Sequence, residues 1–160
     1  MSDSSATSPE LPRRKHPAHG VFTYPHRPTI VYLTVCTHHR RPWLATDENH
    51  DLIRSVWQAA TGWLVGRYVL MPDHMHLFAA PGTMDIEFDS WVTFWKSQFR
   101  KRHSDKSIRW QTDHWDTRLR HDERYEEKWE YVVSNPVRAG LAARPEDWPF
   151  QGELFELRWE

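Results

Sequence analysis

The chain has 160 residues, a formal net charge of −1 and a single cysteine, Cys36. The length suits one domain, the near-zero charge leaves any binding of nucleic acid to local patches, and one cysteine excludes an intramolecular disulfide and a multi-cysteine zinc site. Because the sequence has no long apolar segment and no apolar signal-peptide core, it predicts a soluble, cytoplasmic protein.

The predicted secondary structure follows a polar N-terminal segment. Residues 1–28 are rich in Ser, Pro, His and Arg and are predicted to form a flexible tail. Runs of β-branched and aromatic residues then predict strands, and apolar residues at helical spacing predict helices. In chain order these are a strand at 29–37, a helix from 46 or 47 to about 63, strands at about 64–71 and 74–80, a helix at about 85–103, a strand around 115–119 and a helix at about 122–134.

The order βαββαβ followed by a helix predicts an α+β fold. It is typical of a ferredoxin-like antiparallel sheet with its helices packed on one face, here with an additional C-terminal helix. The other face of such a sheet is open for a site. The predicted domain covers residues 29–150, and residues 151–160 form a short C-terminal extension.

His74 and His76 flank Met75 directly after the turn at Pro72 and Asp73. Residues two apart on a strand share a face, so both imidazoles are expected to point away from the core face to which Met75 belongs. The pair predicts a cation site, although a chain with eleven histidines also produces this pattern by chance. Two imidazoles are too few for a tight zinc site, but with an amide or carboxylate and substrate oxygens they suit Mg²⁺ or Mn²⁺.

The last predicted helix carries a tyrosine on its polar face. Tyr125 belongs to the apolar stripe of this helix, whereas Tyr131 shares a different face with Glu127 and Asn135. One interpretation is an amphipathic tyrosine at the edge of a helix contact. The other is a nucleophile. Phenols are poor nucleophiles near neutral pH because their ordinary pKa is about 10, but a nearby divalent cation and a polarised substrate change that.

Several segments together resemble one protein family. Residues 70–76 resemble the HUH motif of single-tyrosine transposases, in which two histidines surround a bulky hydrophobic residue. Residues 131–141, followed by 145–149, closely resemble the catalytic helix and tail of the REP-associated tyrosine transposases. Residues 34–42 and 110–120 fit this family's first strand and the segment before its catalytic helix. The segments occur in the family's order, and the resemblance covers about residues 29–150.

The resemblance implies a metal-dependent transposase that cleaves and rejoins single-stranded DNA. His74 and His76 are then ligands for Mg²⁺ or Mn²⁺, and Asn135 matches the position of a third, polar ligand. Tyr131 is the implied catalytic residue, which attacks phosphorus and leaves a 5′-phosphotyrosine link and a free 3′-hydroxyl. That hydroxyl later rejoins strands, as in DNA transposition.

The DNA implied by the family is a short hairpin flanked by single strand, as at repetitive extragenic palindromes (REP). A nucleoid-associated bacterial protein is expected, and related enzymes include homodimers. Basic side chains are the predicted phosphate contacts, although each also fits a solvated surface. They are Arg40, Arg41, Lys96, Arg100, Lys101, Arg102, Arg118 and Arg120.

Two other functions fit parts of the pattern. A domesticated, non-cleaving protein that binds hairpin DNA for regulation would keep the fold without the reaction. A replication-initiator-type HUH endonuclease also has its histidines before its tyrosine and commonly places a lysine near it, as Lys128 lies near Tyr131. The continuation through Asn135 and Pro136 favours the transposase, and a relaxase is disfavoured because its tyrosine precedes the histidines.

Overall fold

The computed structural model describes residues 29–119 and 125–157. The predicted flexible tail at 1–28 and the predicted DNA contact Arg120 lie outside the described residues. Within the described ranges, no helix is both long and apolar enough to cross a membrane.

The described chain contains five strands and four α-helices. The strands are β1 (Val31–Thr37), β2 (Trp63–Leu70), β3 (His74–Pro81), β4 (Trp110–Arg118) and β5 (Gln151–Glu153). The helices are α1 (Asp47–Ala59), α2 (Phe88–Arg102), α3 (Tyr125–Val133) and α4 (Asn135–Arg138).

The strands form one antiparallel sheet in the order β4-β1-β3-β2-β5. The first four strands have the order of a ferredoxin-like sheet, so the predicted α+β fold is confirmed. β5 extends the sheet beside β2, where Gln151 pairs with Val69. Part of the predicted C-terminal extension therefore belongs to the sheet.

Helices α1 and α2 pack on one face of the sheet. Alternate residues of the central strands line that face, among them Leu33 on β1 and Leu77 on β3. The largest side chains buried in this core include Trp57, Trp63, Trp91 and Trp95. These indoles fill the core, so they are not available to stack on nucleobases.

Helix α3 packs on the opposite face of the sheet. There Phe78 of β3 and Val69 of β2 form a smaller core with Tyr125 and Val132 of α3. The predicted open face of the sheet is thus partly covered by the helix that carries Tyr131.

A bulge in β2 anchors α3. The pairing register of β2 shifts between Val65 and Tyr68, and in this bulge the Arg67 backbone N–H donates to Tyr125 Oη at 2.9 Å. Gly66 permits the close approach, because a Cβ there would lie 2.5 Å from Tyr125 Oη. The Arg67 guanidinium also pairs with Glu126 at 2.7 Å, which fixes the first turn of α3.

Two predicted boundaries are displaced. α1 ends at Ala59 rather than near 63, because Trp63 already belongs to β2 and donates its indole N–H to the Ile86 carbonyl at 2.9 Å. β4 begins at Trp110 rather than near 115, since Trp110 pairs with Thr37 and is buried in the core. Polar residues such as Asp113 have low strand propensity and conceal the start of this strand in the sequence.

Candidate active site

His74 and His76 lie side by side on the α3 face of β3. Met75 between them is fully buried beneath α1 and α2, so strand alternation places both imidazoles on the other face. The ring centroids are 4.9 Å apart, and the rings are nearly perpendicular at 80°. The two imidazoles predicted as metal ligands are therefore adjacent.

Two hydroxyls of β1 hold Nδ1 of His76. The register pairs Thr34 with His76, and Thr34 Oγ1 lies 3.0 Å and Tyr32 Oη 2.9 Å from Nδ1. The Tyr32 ring also stacks on the imidazole, with centroids 5.7 Å apart and an interplanar angle of 12°. These contacts fix the orientation of His76 and leave Nε2 as the ring nitrogen available to a metal ion.

Asp73 holds Nδ1 of His74 in the same way. Its Oδ1 lies 2.8 Å from Nδ1, and its Oδ2 accepts a hydrogen bond from Arg40 Nε at 3.1 Å. Burial opposes ionisation of Asp73, but the hydrogen bond and charge of His74, with Arg40, lower its pKa to about 2. An ionised carboxylate on Nδ1 is a usual partner of a metal-binding histidine.

Both histidines therefore present the same ring nitrogen. Their Nδ1 atoms are engaged, and no described residue makes a hydrogen bond to either Nε2. Burial, with the neighbouring positive charges of His74, Lys128 and Arg138, holds the pKa of His76 well below its usual range. His76 is thus neutral near pH 7, which is the form that binds a metal ion.

A strained turn brings Arg40 to this site. His39 and Arg40 have φ angles of 58° and 54°, a left-handed conformation that costs about 1–2 kcal/mol per residue for L side chains. The Thr37 hydroxyl holds the turn by donating to the Arg41 carbonyl at 2.8 Å. As a result, Arg40 Nη2 lies 3.4 Å from Nδ1 of His74, which puts a positive charge at the edge of the histidine pair.

The two tyrosines of α3 differ as predicted from their helix faces. Tyr125 is buried, whereas the side chain of Tyr131 is 63% exposed. The Arg138 guanidinium lies 4.1 Å from the centroid of the Tyr131 ring and donates to the Tyr131 carbonyl at 3.0 Å. Arg138 also donates a hydrogen bond to Asn135 Oδ1, so one arginine holds both the predicted nucleophile and the predicted third ligand.

Tyr32 lies between the histidines and the group formed by Tyr131, Asn135 and Arg138. Burial raises the pKa of Tyr32 to about 12, and the nearby Tyr131 and Arg138 also act on it electrostatically. Lys128 of α3 also contacts this ring, with Nζ 4.9 Å from the centroid of the Tyr32 ring. Within the described part of the chain, no hydrogen bond joins Tyr131 or Asn135 to either histidine.

The predicted phosphate contacts lie on two sides of the sheet. Arg40 is at the histidine pair, Arg41 is exposed just after the turn that follows β1, and Arg118 is exposed at the end of β4. The remaining four belong to α2, on the opposite face of the sheet; these are Lys96, Arg100, Lys101 and Arg102. Contact of any of them with DNA stays a prediction.

Two of the α2 cations brace neighbouring backbone. Lys96 Nζ donates to the Gln111 carbonyl at 3.0 Å, and burial lowers its pKa to about 8. Arg100 Nε donates to the Ile108 carbonyl, also at 3.0 Å. Both side chains therefore link α2 to the start of β4 and to the loop before it.

The sequence interpretation overlooked Tyr32, Thr34, Asp73 and Arg138 as site residues. Asp73 was detectable, because an acidic residue next to a candidate ligand histidine is a common orienting partner. The roles of Tyr32 and Thr34 depend on the pairing of β1 with β3. Arg138 reaches back seven residues to Tyr131 across the change of helix at Asn135, which periodicity along one helix does not predict.

Known proteins resemble the chain in sequence. No family model matches it. It is 28% identical over 121 residues to a REP-associated tyrosine transposase of Escherichia coli K12, covering 74% of this chain and 73% of that protein. A Haemophilus influenzae Rd protein described by the same family name is 25% identical over 95 residues, which cover 51% of this chain and 53% of that protein.

A solved structure shares the fold. A REP-associated tyrosine transposase bound to a REP hairpin superposes with a TM-score of 0.67 and 26% sequence identity. The match covers 78% of this chain and 76% of that one. In sequence and in fold, this chain therefore resembles the REP-associated tyrosine transposases.

Proposed function

We propose that this protein cleaves single-stranded DNA at hairpin substrates and transfers the cut strand through a 5′-phosphotyrosine link to Tyr131. The observation that carries the proposal is the arrangement of His74 and His76, whose Nδ1 atoms are both engaged on the sheet face that α3 covers. The solved relative with a bound REP hairpin supports hairpin DNA as the partner.

The residues at this site fit a divalent cation. His74 and His76 would supply their Nε2 atoms, and Mg²⁺ or Mn²⁺ would keep open positions for phosphate oxygens. A bound ion would act as a Lewis acid on the scissile phosphate. Asn135 Oδ1 accepts a hydrogen bond from Arg138, and its second lone pair could join the ligands while Arg138 orients the amide.

In the cleavage step, Tyr131 Oη forms a bond to phosphorus while the bond from phosphorus to the 3′-oxygen breaks. The phenol loses its proton and the departing oxygen gains one, so the products are a 5′-phosphotyrosine and a free 3′-hydroxyl. Attack of a 3′-hydroxyl on this link reverses the exchange. Because one phosphodiester replaces another, rejoining needs no external energy source.

Positive side chains around the site fit the charge of this reaction. Arg40, Lys128 and Arg138 all act electrostatically on His76, beside which the phosphate would bind in this proposal. Cations held there would stabilise negative charge that develops on the phosphate oxygens.

The test is adduct formation on a labelled single-stranded hairpin with Mn²⁺, followed on denaturing gels. We expect the wild-type protein and Tyr125→Phe to form a covalent adduct, because Tyr125 Oη is committed to the Arg67 backbone. Tyr131→Phe should form none, and His74→Ala with His76→Ala should lose cleavage. An adduct with Tyr131→Phe would contradict the assignment of the nucleophile.

The hydrogen bond from Arg138 to Asn135 favours a second candidate, a non-cleaving protein that binds hairpin DNA for regulation. If Asn135 stays beside Arg138 and does not reach an ion on the histidines, the metal site lacks its third protein ligand. Hairpin binding of equal affinity by wild type and Tyr131→Phe, with no cleavage under Mg²⁺ or Mn²⁺, would support this candidate instead.

A further inference from the structure

A second group of metal-binding side chains lies on the other face of the sheet. Asp89 is in the first turn of α2, and His114 and Asp116 are two apart on β4 and share one face. His114 Nε2 lies 3.1 Å from Asp89 Oδ1 and 3.6 Å from Asp116 Oδ2. One ligand atom from each residue lies within 4.8 Å of the other two.

The cluster is mostly buried but has one accessible side. The side chain of Asp116 is fully buried, that of His114 is 11% exposed and that of Asp89 is 45% exposed. A buried carboxylate requires nearby positive charge, because its transfer from water is costly. The proton of His114 is one source of such charge, and a cation that enters beside Asp89 would be another.

The spacing suits a metal ion. With metal–ligand bonds of about 2.0–2.2 Å, neighbouring ligand atoms in tetrahedral or octahedral coordination are about 3.0–3.5 Å apart. The two separations from His114 Nε2, 3.1 and 3.6 Å, are close to that range. One imidazole and two carboxylates form a donor set typical of Zn²⁺ or Mn²⁺ sites with a water in the open position.

We propose that Asp89, His114 and Asp116 form a second divalent-cation site, which ties the start of α2 to the edge strand β4. Such a link has a structural use there. Within the described residues, the Glu87 side chain at the N-terminus of α2 makes no capping hydrogen bond. The ion would hold the first turn of the helix to the sheet, and this site does not depend on the proposed cleavage reaction.

The competing arrangement is an ion-paired histidine. Burial opposes the protonation of His114, but the neighbouring carboxylates of Asp116 and Asp89 prevail and raise its pKa. A proton on Nε2 then bridges the carboxylates without a metal. A cation must displace this proton, so metal binding at the cluster competes with the ion pair.

The test measures the metal bound by the 160-residue protein. The protein is first stripped of metal with a chelator. Zn²⁺ or Mn²⁺ is then titrated in by calorimetry, and elemental analysis counts the bound ions. The His74→Ala, His76→Ala variant removes the first site and should retain one ion. Adding Asp89→Asn to that variant should weaken the remaining binding by at least about 10-fold, since even the loss of an outer-shell partner costs that much. Asp85→Asn, at a nearby exposed carboxylate outside the cluster, is the matched control and should leave the metal affinity unchanged.

Thermal unfolding supplies a second readout. Zn²⁺ should raise the midpoint of the His74→Ala, His76→Ala protein, and Asp89→Asn or His114→Gln should abolish that rise. Asp89 is partly exposed, so its substitution is compatible with folding. If the double histidine variant binds no ion, or if Asp89→Asn leaves its metal affinity and midpoint shift unchanged, the second site is refuted.

Discussion

The guanidinium of Arg138 lies over the ring of Tyr131, 4.1 Å from its centroid, and donates to the backbone carbonyl of the same residue at 3.0 Å. The predicted nucleophile is thus exposed to solvent but held by a cation from the next helix. Because Arg138 also binds Asn135, this one side chain sets the geometry of α3 and α4 around the proposed site.

We expect Arg138→Gln to slow formation of the Tyr131 adduct. A cation–π contact at an exposed site contributes about 0.5–1 kcal/mol, equivalent to roughly 2- to 5-fold in rate. Single-turnover cleavage of a labelled hairpin checks this. Arg144→Gln is the control, since Arg144 is an exposed arginine whose hydrogen bond goes to Asp147 instead. Equal rates for the wild type and Arg138→Gln would show that the contact does not position the phenol.

Removing the hydroxyls on His76 should weaken metal binding. Thr34→Val and Tyr32→Phe each leave one hydroxyl on Nδ1. The combined variant should therefore bind Mn²⁺ about 10- to 100-fold more weakly than the wild type, and more weakly than either single variant. Isothermal titration measures the affinities. Tyr125→Phe removes a hydroxyl on the same sheet face that contacts Arg67 instead, and it should bind Mn²⁺ as the wild type does. Unchanged affinity in the double variant would remove these hydroxyls from the metal site.

Lys96 should give a measurable pH dependence of stability. Burial lowers the folded-state pKa to about 8, so its charged form costs stability below that pH. The cost disappears as pH rises from about 8 towards the unfolded value of about 10.4. Between pH 7 and 10 the free energy of unfolding of the wild type should therefore rise by on the order of 2 kcal/mol relative to that of Lys96→Met.

Urea unfolding of wild type and Lys96→Met across this range measures the change in free energy. Lys101→Met is the matched control, because Lys101 lies exposed on the same helix, and its stability should run parallel to that of the wild type. A Lys96→Met curve that also stays parallel to the wild type would mean that Lys96 is not desolvated.

Gly66→Ala should destabilise the protein by about 1–3 kcal/mol, the usual cost of overpacking a core. The added Cβ would lie 2.5 Å from Tyr125 Oη and 2.6 Å from Leu157 Cδ1. Thermal or urea unfolding measures the loss. Because Tyr125 Oη is the atom nearest to the added Cβ, Gly66→Ala should destabilise the Tyr125→Phe variant less than it destabilises the wild type. Additive effects of the two substitutions would show that α3 does not approach the bulge this closely.

Local sequence patterns were sufficient to predict features that depend on a single strand or helix. Alternation on a single strand separates His74 and His76 from Met75, and helical periodicity separates exposed Tyr131 from buried Tyr125. The order of elements predicted the sheet, since a βαββαβ chain has few ways to bury its apolar faces. The start of β4 was harder to predict, because Trp110 gains its strand conformation from pairing with β1.

The basic residues of α2 show the limit of local patterns. Their charge is evident in the sequence, but which sheet face they occupy and which carbonyls hold Lys96 and Arg100 depend on how the helix packs. The same holds for Asp89 and His114, 25 residues apart in sequence and 3.1 Å apart in space.

By itself, the sequence determined the fold class, the pair of histidines on one strand face and the tyrosine on the polar side of a later helix. The fold class follows from the order of the elements, and the other two follow from the period of a single strand or helix. The tertiary structure alone decided that Thr34 and Tyr32 hold His76 and that Arg138 covers Tyr131. The physical reason is that strand register and helix docking are set by the packing of distant segments, which no local period encodes.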